Sequence, residues 1–268
     1  MRTPSGAKSE DGIALVVLTH ERVHLLRQCV ENVVARTSPS TREIVIWNNG
    51  STDGTRAFLD TLDDPRITVV HSERNVGING YARGFAMTTA PYLLELDDDV
   101  VDAPPNWDAM LLDAYRRLPD VGYLSADLRD DPHDEAAYHR YHVYEYAETT
   151  ENGVRLLNGP VGGVCTITSR ELNARVGGFR ERPREVFWLE DSTYIRDIER
   201  LGYRSAVLAD LQVHHTGGYH YGAGARVKDE FWARELKRRA RVIATKRVAF
   251  RVPFVRRLNT RYRWVRDL

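Results

Sequence analysis

Residues 92–100 read YLLELDDDV, an apolar run that ends in three consecutive carboxylates, Asp97, Asp98 and Asp99. The run is typical of a buried strand, and its end places three like charges within a few ångströms of one another. Such charges raise each other's pKa, and a divalent cation offsets the repulsion. Oxygen ligands of this kind suit Mg²⁺ or Mn²⁺, which can bridge to a diphosphate. A solvated acidic turn is the alternative that the triplet alone leaves open.

Three further apolar runs precede this one, and each leads through a polar turn to apolar side chains at helical spacing. The predicted elements are strands at 13–18, 43–47 and 67–70 and helices at 23–35, 56–62 and 80–89. This alternating order predicts an α/β fold with a parallel sheet flanked by helices. Ligands of such sheets bind outside the carboxyl ends of the strands, where the polar turns lie.

The second half of the chain is less regular. Its patterns predict helices at 107–118 and 191–201 and strands at 164–168 and 206–213. Residues 136–147 alternate aromatic and polar side chains, which favours a surface that stacks on a sugar or another amphipathic acceptor. A half-buried strand or an oligomer contact is the alternative. Since no internal repeat or low-complexity linker separates the halves, we expect them to share one core.

The charge of the chain is balanced overall but unevenly distributed. It has 38 basic and 38 acidic residues, which argues against a nucleic-acid binder held by bulk charge. Its 42% hydrophobic and 28% charged residues are typical of a globular protein. Residues 226–268, however, contain 15 basic and 4 acidic side chains, a net charge of +11, so the rest of the chain carries −11.

The basic segment 226–268 alternates Arg and Lys with aromatic and aliphatic side chains, which predicts an amphipathic helical tail interrupted near Pro253. One interpretation is a peripheral contact with an anionic membrane surface. The other is packing on the acidic body or on a neighbouring subunit of a homo-oligomer. The charge difference favours an anionic partner without choosing between these alternatives.

Two cysteines, Cys29 and Cys165, are too few for a disulfide scaffold, so we expect a reducing compartment. Residues 1–12 are polar and lack the apolar stretch of a signal peptide. We find no run of the ~18 to 20 apolar residues that a membrane span needs. These patterns predict a cytoplasmic protein, with the inner face of the cell membrane as the site of any peripheral contact.

Taken in order, the polar motifs resemble those of family 2 glycosyltransferases, whose fold is known as GT-A. The donor side of the resemblance is carried by Thr19, Asn48-Asn49-Gly50-Ser51, Arg74-Asn75-x-Gly77 and the Asp triplet. The acceptor side is carried by Gly162-Gly163-Val164, Ser169-Arg170-Glu171, Val176-Gly177-Gly178-Phe179, Trp188-Leu189-Glu190-Asp191 and Val213-His214-His215. The ordered set covers about residues 13–218 and is far more specific than any one motif.

The resemblance implies a mostly parallel, Rossmann-like sheet with a smaller acceptor-side sheet. It also implies four segments along the chain. These are a polar extension at 1–12, a nucleotide-sugar-binding half at 13–102, an acceptor-binding and catalytic half of the same domain at 103–225, and the tail at 226–268.

The resemblance further assigns the donor contacts. They are Thr19, Glu21, Arg22, Asn48, Asn49, Arg74, Arg83, Asp97 and Asp98. Arg74 and Arg83 would contact ribose or phosphate, and surface ion pairs are the alternative for both. Many relatives place an aspartate that accepts a hydrogen bond from uracil where this chain has Asn48 and Asn49. An Asn amide both accepts and donates, so UDP-, dTDP- and GDP-linked sugars all stay open.

The implied metal site holds Mn²⁺ or Mg²⁺. Asp97 and Asp99 would form the D-x-D pair, with Asp99 as the more direct ligand. His214 would complete the coordination, with His215 as the alternative.

Asp191 is the implied general base of an inverting transfer, in which it takes the proton of the acceptor hydroxyl. Glu190 would bind the acceptor or support Asp191. A helix N-cap is the alternative for Asp191, because Asp is common at helix starts.

The predicted reaction moves a sugar from a nucleoside diphosphate to a glycan, a lipid-linked acceptor or a small molecule, and no nucleic acid is expected as a partner. A sugar nucleotidyltransferase is a second hypothesis, although its usual Gly-rich loop after the first strand is missing. A non-catalytic sugar-nucleotide or glycan binder is a third, and the presence of Asp191 beside the triplet and His214 argues against it.

Overall fold

The first half of the chain alternates strands and helices in the computed structural model, whose described residues are 12–129, 146–216 and 225–249. The elements are β1 (Ile13–Thr19), α1 (Val23–Asn32), a 3₁₀ turn (Val34–Arg36), β2 (Thr41–Asn48), α2 (Thr55–Leu59), β3 (Ile67–His71), α3 (Asn79–Ala86) and β4 (Tyr92–Asp97). Strand β1 pairs in parallel with β2 and β4, and β2 pairs in parallel with β3. The carboxyl ends of these four strands therefore share one edge, as predicted.

The second half adds strands of both directions to this sheet. Its elements are β5 (Val100–Asp102), α4 (Trp107–Arg117), β6 (Val121–Leu128), β7 (Ala147–Glu151), β8 (Val154–Asn158), β9 (Cys165–Ser169), α5 (Arg170–Arg175), α6 (Glu190–Glu199) and β10 (Arg204–His215). Within the described part of the chain the strand order is β3-β2-β1-β4-β9-β6-β10-β8-β7. The smaller acceptor-side sheet takes the form of an antiparallel β5–β10 ladder, while β7 and β8 extend the main sheet.

The core lies on both faces of the sheet, which explains the unbroken apolar runs. Ile13, Leu15 and Val17 of β1 pack into the larger cluster with α1 and α4. Ala14 and Val16 point to the opposite face, where α3 covers them. A strand buried on both faces cannot alternate polar and apolar residues, and all five of these side chains are fully buried.

Two boundaries differ from the sequence-based predictions in ways that affect the site. The helix predicted at 191–201 begins one residue earlier, so Glu190 and Asp191 both lie in its first turn. The strand predicted at 206–213 continues to His215, because its last residues pair with β5. The aromatic segment 136–147 lies almost entirely outside the described residues. The extension 1–12 except Gly12, residues 217–224 and the tail beyond the helix described next also lie outside them.

Residues 1–222 and 223–268 are two separate units, and the described part of the second is one helix, α7 (Ala225–Ala249). Arg234, Lys237, Arg238 and Arg241 recur along it at i, i+3, i+4 and i+7, which places them on one stripe. Trp232 and Leu236, four residues apart, are 39% and 63% exposed. In the described segments, no helix combines the length and the apolar character that crossing a membrane requires.

Candidate active site

The carboxylates of the Asp triplet lie at the carboxyl edge of the sheet, where β4 turns into β5. Asp97 is the last residue of β4, and Asp98 and Asp99 form the turn. Since β5 pairs with the end of β10, this turn lies beside the histidines that close β10. His215 Nε2 is 3.1 Å from Asp99 Oδ1 and 3.8 Å from Asp97 Oδ2. One ligand atom from each of Asp97, Asp99 and His215 fits within 4.8 Å of the others.

The two histidines of β10 are not equivalent in this arrangement. His215 pairs with Val100 and is 3% exposed against the carboxylates, whereas His214 pairs with Asp102, two residues further along β5. The register of β10 shifts between the two histidines, and the imidazole whose nitrogen gathers with the carboxylate oxygens of Asp97 and Asp99 is that of His215. The structure brings His215, the alternative ligand of the sequence analysis, to Asp97 and Asp99 in place of His214.

Arg22 supplies positive charge within the cluster. Its Nη1 donates to Asp99 Oδ2 at 2.8 Å, and its Nη2 donates to Asp98 Oδ1. Asp98 is fully buried under this guanidinium, while the side chain of Asp97 is 36% exposed. The structure therefore directs Arg22 and Asp98 toward each other and leaves Asp97 as the carboxylate most open to a ligand.

Burial and mutual repulsion set the pKa values of the triplet. Burial raises the pKa of Asp97 to about 6, and the charge of Asp99 adds to the rise. Burial would also raise the pKa of Asp99, but His215 and Arg22 outweigh it and hold that pKa well below its usual range. The pKa of His215 is raised because Asp99 outweighs the effect of burial. A cation bound here would compete with protons at both Asp97 and His215.

The loops after β1 and β2 are tied together by the residues predicted to bind the donor. Glu21 has a φ of 56°, a left-handed conformation that a non-glycine residue rarely adopts. Its backbone N–H donates to Ser51 Oγ at 3.0 Å, and its carboxylate accepts from the backbone N–H of Thr52 at 2.5 Å. These bonds hold the strained residue, so Glu21 fixes the loop on which Arg22 sits. Thr19 is buried at the end of β1.

Asn48 and Asn49 also make structural hydrogen bonds. Asn48 Oδ1 accepts from the backbone N–H of Ser51, and Asn49 bonds the loop after β3 through both ends of its amide, with Gly77 O at 3.0 Å and Val76 N at 2.9 Å. Both side chains are 2% exposed. They shape the donor-side loops at positions where a base contact was predicted.

The two arginines predicted to reach ribose or phosphate lie in different places. Arg74 is exposed on the loop after β3, and its backbone packs against Gly50. Arg83 lies on α3, where its Nε donates to Glu181 Oε2 at 3.0 Å. The structure therefore places Arg83 in an ion pair, which was the alternative for this residue.

Glu190 and Asp191 occupy the first turn of α6. The N-cap of this helix is Leu189, so Asp191 lies inside the helix rather than at the capping position. Asp191 Oδ1 accepts from the backbone N–H of Ser192 at 2.5 Å. Burial raises the pKa of Glu95 on β4, and the charges of Glu190, Asp97 and Asp191 add to the rise, so both carboxylates of α6 lie within electrostatic reach of Glu95.

Two side chains of the site were not among the predicted residues. Tyr81 lies on α3, and its hydroxyl donates to Asp97 Oδ1 at 2.9 Å. Glu95 is 2% exposed and accepts a hydrogen bond from Tyr123 Oη. A carboxylate inside an apolar run is costly to bury without a partner, so the sequence alone could have indicated that Glu95 has a special role. Tyr81 carried no such signal, because its partner is set by how α3 packs on the sheet.

Comparison with known proteins identifies the family. The model of the glycosyl transferase family 2 matches residues 14–177, more than half of the chain. The chain belongs to this family. It is 21% identical over 228 residues to y4gI, an uncharacterised protein of Sinorhizobium fredii, a match that covers 76% of this chain and 24% of that protein.

Solved structures with the same fold carry sugar nucleotides. The mannosyltransferase PcManGT of Pyrobaculum calidifontis, in complex with GDP-Man and Mn²⁺, is 21% identical with a TM-score of 0.53, over 76% of this chain and 56% of that one. The 1–349 fragment of S. aureus TarS with UDP-GlcNAc is 18% identical with a TM-score of 0.55, over 79% and 61%. These similarities confirm a GT-A-type α/β fold. This chain spans about a quarter of the curated relative and less than two thirds of either structure.

Proposed function

We propose that the protein is an inverting glycosyltransferase that moves a sugar from a nucleoside diphosphate to an acceptor hydroxyl. The observation that carries the proposal is the cluster of Asp97, Asp99 and His215, whose ligand atoms fit within 4.8 Å at the carboxyl edge of a family 2 fold. The complexes of similar structures with GDP-Man and Mn²⁺ and with UDP-GlcNAc support a sugar nucleotide as the donor.

The metal-ligating groups of Asp97, Asp99 and His215 suit a divalent cation. Two carboxylates and one imidazole are ordinary ligands of Mn²⁺, and two carboxylates also suit Mg²⁺. Arg22 pairs with Asp98 and Asp99, and a neutral His215 would leave the three carboxylates with an excess of negative charge near the exposed side of Asp97. When bound, the cation supplies positive charge beside the diphosphate that leaves. Asp97, Asp99 and His215 would hold it.

The other steps belong to side chains of the chain itself. Asp191, inside the first turn of α6, takes the proton of the acceptor hydroxyl as its oxygen attacks the anomeric carbon. Glu190 lies beside it to bind or orient the acceptor. Arg22 holds Asp98 and Asp99 in place, and Tyr81 orients Asp97 through its hydroxyl. The acceptor is a glycan, a lipid-linked sugar or a small molecule with a free hydroxyl.

The test is slow hydrolysis of the donor, which needs no known acceptor. Purified protein with Mn²⁺ should hydrolyse one nucleotide sugar from a panel of UDP-, dTDP- and GDP-linked donors, and Asp191→Asn should slow that reaction. A panel in which no donor is turned over or stabilises the protein against heating would contradict the proposal.

A further inference from the structure

Asn79, the first residue of α3, bonds to a segment that lies about a hundred residues away in sequence. We call residues 180–189, which lead into α6, the base strap. Asn79 Nδ2 lies 3.0 Å from Glu185 O and 3.2 Å from Arg182 O, and Asn79 Oδ1 accepts from Arg182 N at 2.6 Å. The same Nδ2 lies 2.6 Å from Val76 O. One buried amide thus joins the loop after β3 to the base strap.

These bonds serve the base strap and not the helix that Asn79 begins. The N-cap of α3 is Ile78, and its side chain makes no cap hydrogen bond. Asn79 is 1% exposed, whereas the side chains at 181–185 are exposed and offer no apolar surface to hold the segment down. The backbone at 181–185 is therefore held mainly by polar contacts, of which Asn79 makes the most, whereas the far end of the base strap is held by the buried side chain of Trp188.

The backbones of the loop and the base strap approach closely beside this amide. Ile78 N donates to Val186 O at 3.2 Å. Gly77 has a φ of 61°, and a Cβ at this position would lie 1.7 Å from Val186 O. A side chain would therefore force the base strap away, and only glycine fits both the conformation and the space.

Two weaker contacts join the same parts. Arg83 of α3 pairs with Glu181 at 3.0 Å, an exposed ion pair of small energy. Phe179, just before the base strap, stacks on Phe85 of α3 at 5.2 Å and on Tyr194 of α6 at 4.6 Å between ring centroids. On the other side of the loop, Asn49 fixes Val76 and Gly77 to the end of β2. The contacts form a continuous path from the donor-side loops to α6.

We propose that Asn79 is a positioning residue for Asp191. By holding residues 182–185 it sets where α6 begins, and so it fixes the carboxylate of Asp191 relative to the donor-side loop 74–79. The inference rests on the proposed function, since it takes Asp191 as the base. It adds that the amide of Asn79 joins the donor side to the base side of the site, beside the backbone contact of Ile78 with Val186 and the ring stack of Phe179.

We call the hydrogen bonds between Asn79 and the base strap the clamp. Digestion with trypsin tests the clamp without any assay of turnover. The base strap contains two cleavable bonds, after Arg180 and after Arg184, while Pro183 protects the bond after Arg182. Asn79→Ala should speed cleavage at both bonds by at least about 10-fold, because the backbone must leave Asn79 to enter a protease. Cleavage after Arg117 on α4, monitored by mass spectrometry in the same digests, should not change.

Asn75→Ala is the matched control. Asn75 Oδ1 accepts from Gly77 N at 2.7 Å, a bond within the same loop that does not reach the base strap. This variant should be cleaved after Arg180 and Arg184 at the wild-type rate. Equal cleavage of the Asn79 and Asn75 variants would overturn the clamp.

Kinetics then separate positioning from simple stability. On the nucleotide sugar that the wild type hydrolyses, Asn79→Ala should lower kcat by about 10- to 100-fold, since small displacements of a reacting group cost that much. The KM for the donor and the stabilisation by Mn²⁺ should stay at wild-type values. Loss of kcat and Mn²⁺ stabilisation together would mean a structural role and overturn the proposal. A released base strap with unchanged kcat would also overturn it, while leaving the proposed function in place.

Hydrogen exchange on the wild-type protein covers the case in which Asn79→Ala does not fold. The amides of Arg182 and Ile78 donate across the contact from opposite sides, so they should exchange with equal protection. Free exchange at Arg182 beside a protected Ile78 would contradict the clamp. If the wild type hydrolyses no donor at all, the proposed function fails and Asn79 has no base to position, whatever the digests give.

Discussion

The carboxylates of the metal cluster and those of α6 are held in place in different ways. Asp97 and Asp99 lie at the end of a strand buried on both faces, and the pairing of β5 with β10 brings His215 to them. Glu190 and Asp191 follow the ten-residue base strap, whose backbone is hydrogen-bonded to the side-chain amide of Asn79. The first arrangement is fixed by the register of the sheet, and the second by the buried amide of Asn79 with a small number of contacts beside it. Metal binding should therefore tolerate changes that misplace the base.

The largest effect that separates the two regions comes from their carboxylates. Asp191→Asn should lower donor turnover by about 10²- to 10⁴-fold, the range for loss of a general base. It should leave the stabilisation by Mn²⁺ and nucleoside diphosphate unchanged, because the cluster lies on other elements. Turnover and thermal unfolding measured on the same samples check both parts. Loss of nucleotide binding in this variant would assign Asp191 a structural role.

The two histidines of β10 give a sharper test of the sheet register. His215→Ala should weaken Mn²⁺ binding by about 10- to 100-fold, as expected when a group close to a metal is lost. His214→Ala is the matched control and should bind Mn²⁺ like the wild type, because the imidazole that lies with Asp97 and Asp99 is that of His215. Calorimetric titration measures both affinities. Weaker Mn²⁺ binding by His214→Ala than by His215→Ala would mean that His214 is the ligand, as the resemblance implied.

The strand end and its turn explain why the donor side was readable from the sequence. Apolar runs with polar ends predicted the four parallel strands and the shared edge, since those signals are local. The choice of His215 over His214 depends on how β5 pairs with β10, about a hundred residues apart in sequence, and no local pattern records that register. Asn48 and Asn49 were predicted to meet a base, but their partners in the loop after β3 belong to the packing of the loops. Asn79 was missed for the same reason.

The pH dependence of cation binding should come from the cluster alone. Burial raises the pKa of Asp97 to about 6, so this carboxyl is protonated below that pH and the cation must displace a proton. The affinity for Mn²⁺ should rise as the pH increases through 6, and it should go on rising until His215, whose pKa is raised by Asp99, has lost its proton. In the metal-free protein the sign for stability is opposite. A folded-state pKa above the ordinary value of an aspartate stabilises the fold at low pH, and that contribution is lost as the pH rises through 6.

Thermal unfolding at a series of pH values, with and without Mn²⁺, measures both trends. The increase in Tm produced by Mn²⁺ should be larger at pH 7.5 than at pH 5.5. In the metal-free protein, Asp97→Asn should flatten the dependence of Tm on pH near pH 6. An unchanged profile of Tm against pH in that variant would assign the titration to another group.

The smallest effect on either region should come from removal of the tail. Residues 226–268 carry a net charge of +11, and Trp232 and Leu236 of α7 are exposed, so we propose that the tail contacts an anionic lipid surface. A chain that ends at residue 225 should lose binding to vesicles of phosphatidylserine and phosphatidylcholine and keep its response to Mn²⁺. Co-sedimentation measures the first and thermal unfolding the second. Unchanged vesicle binding with a smaller oligomer would assign the tail to a subunit contact instead.

The central claim is that Asp97, Asp99 and His215 bind a divalent cation that a nucleoside diphosphate shares. The most direct measurement is a titration of Mn²⁺, followed by electron paramagnetic resonance in the presence of UDP or GDP, on the wild type, Asp99→Asn and Asp191→Asn. We predict one tightly bound Mn²⁺ per chain in the wild type and in Asp191→Asn, and none in Asp99→Asn. Equal binding by all three proteins would contradict the account.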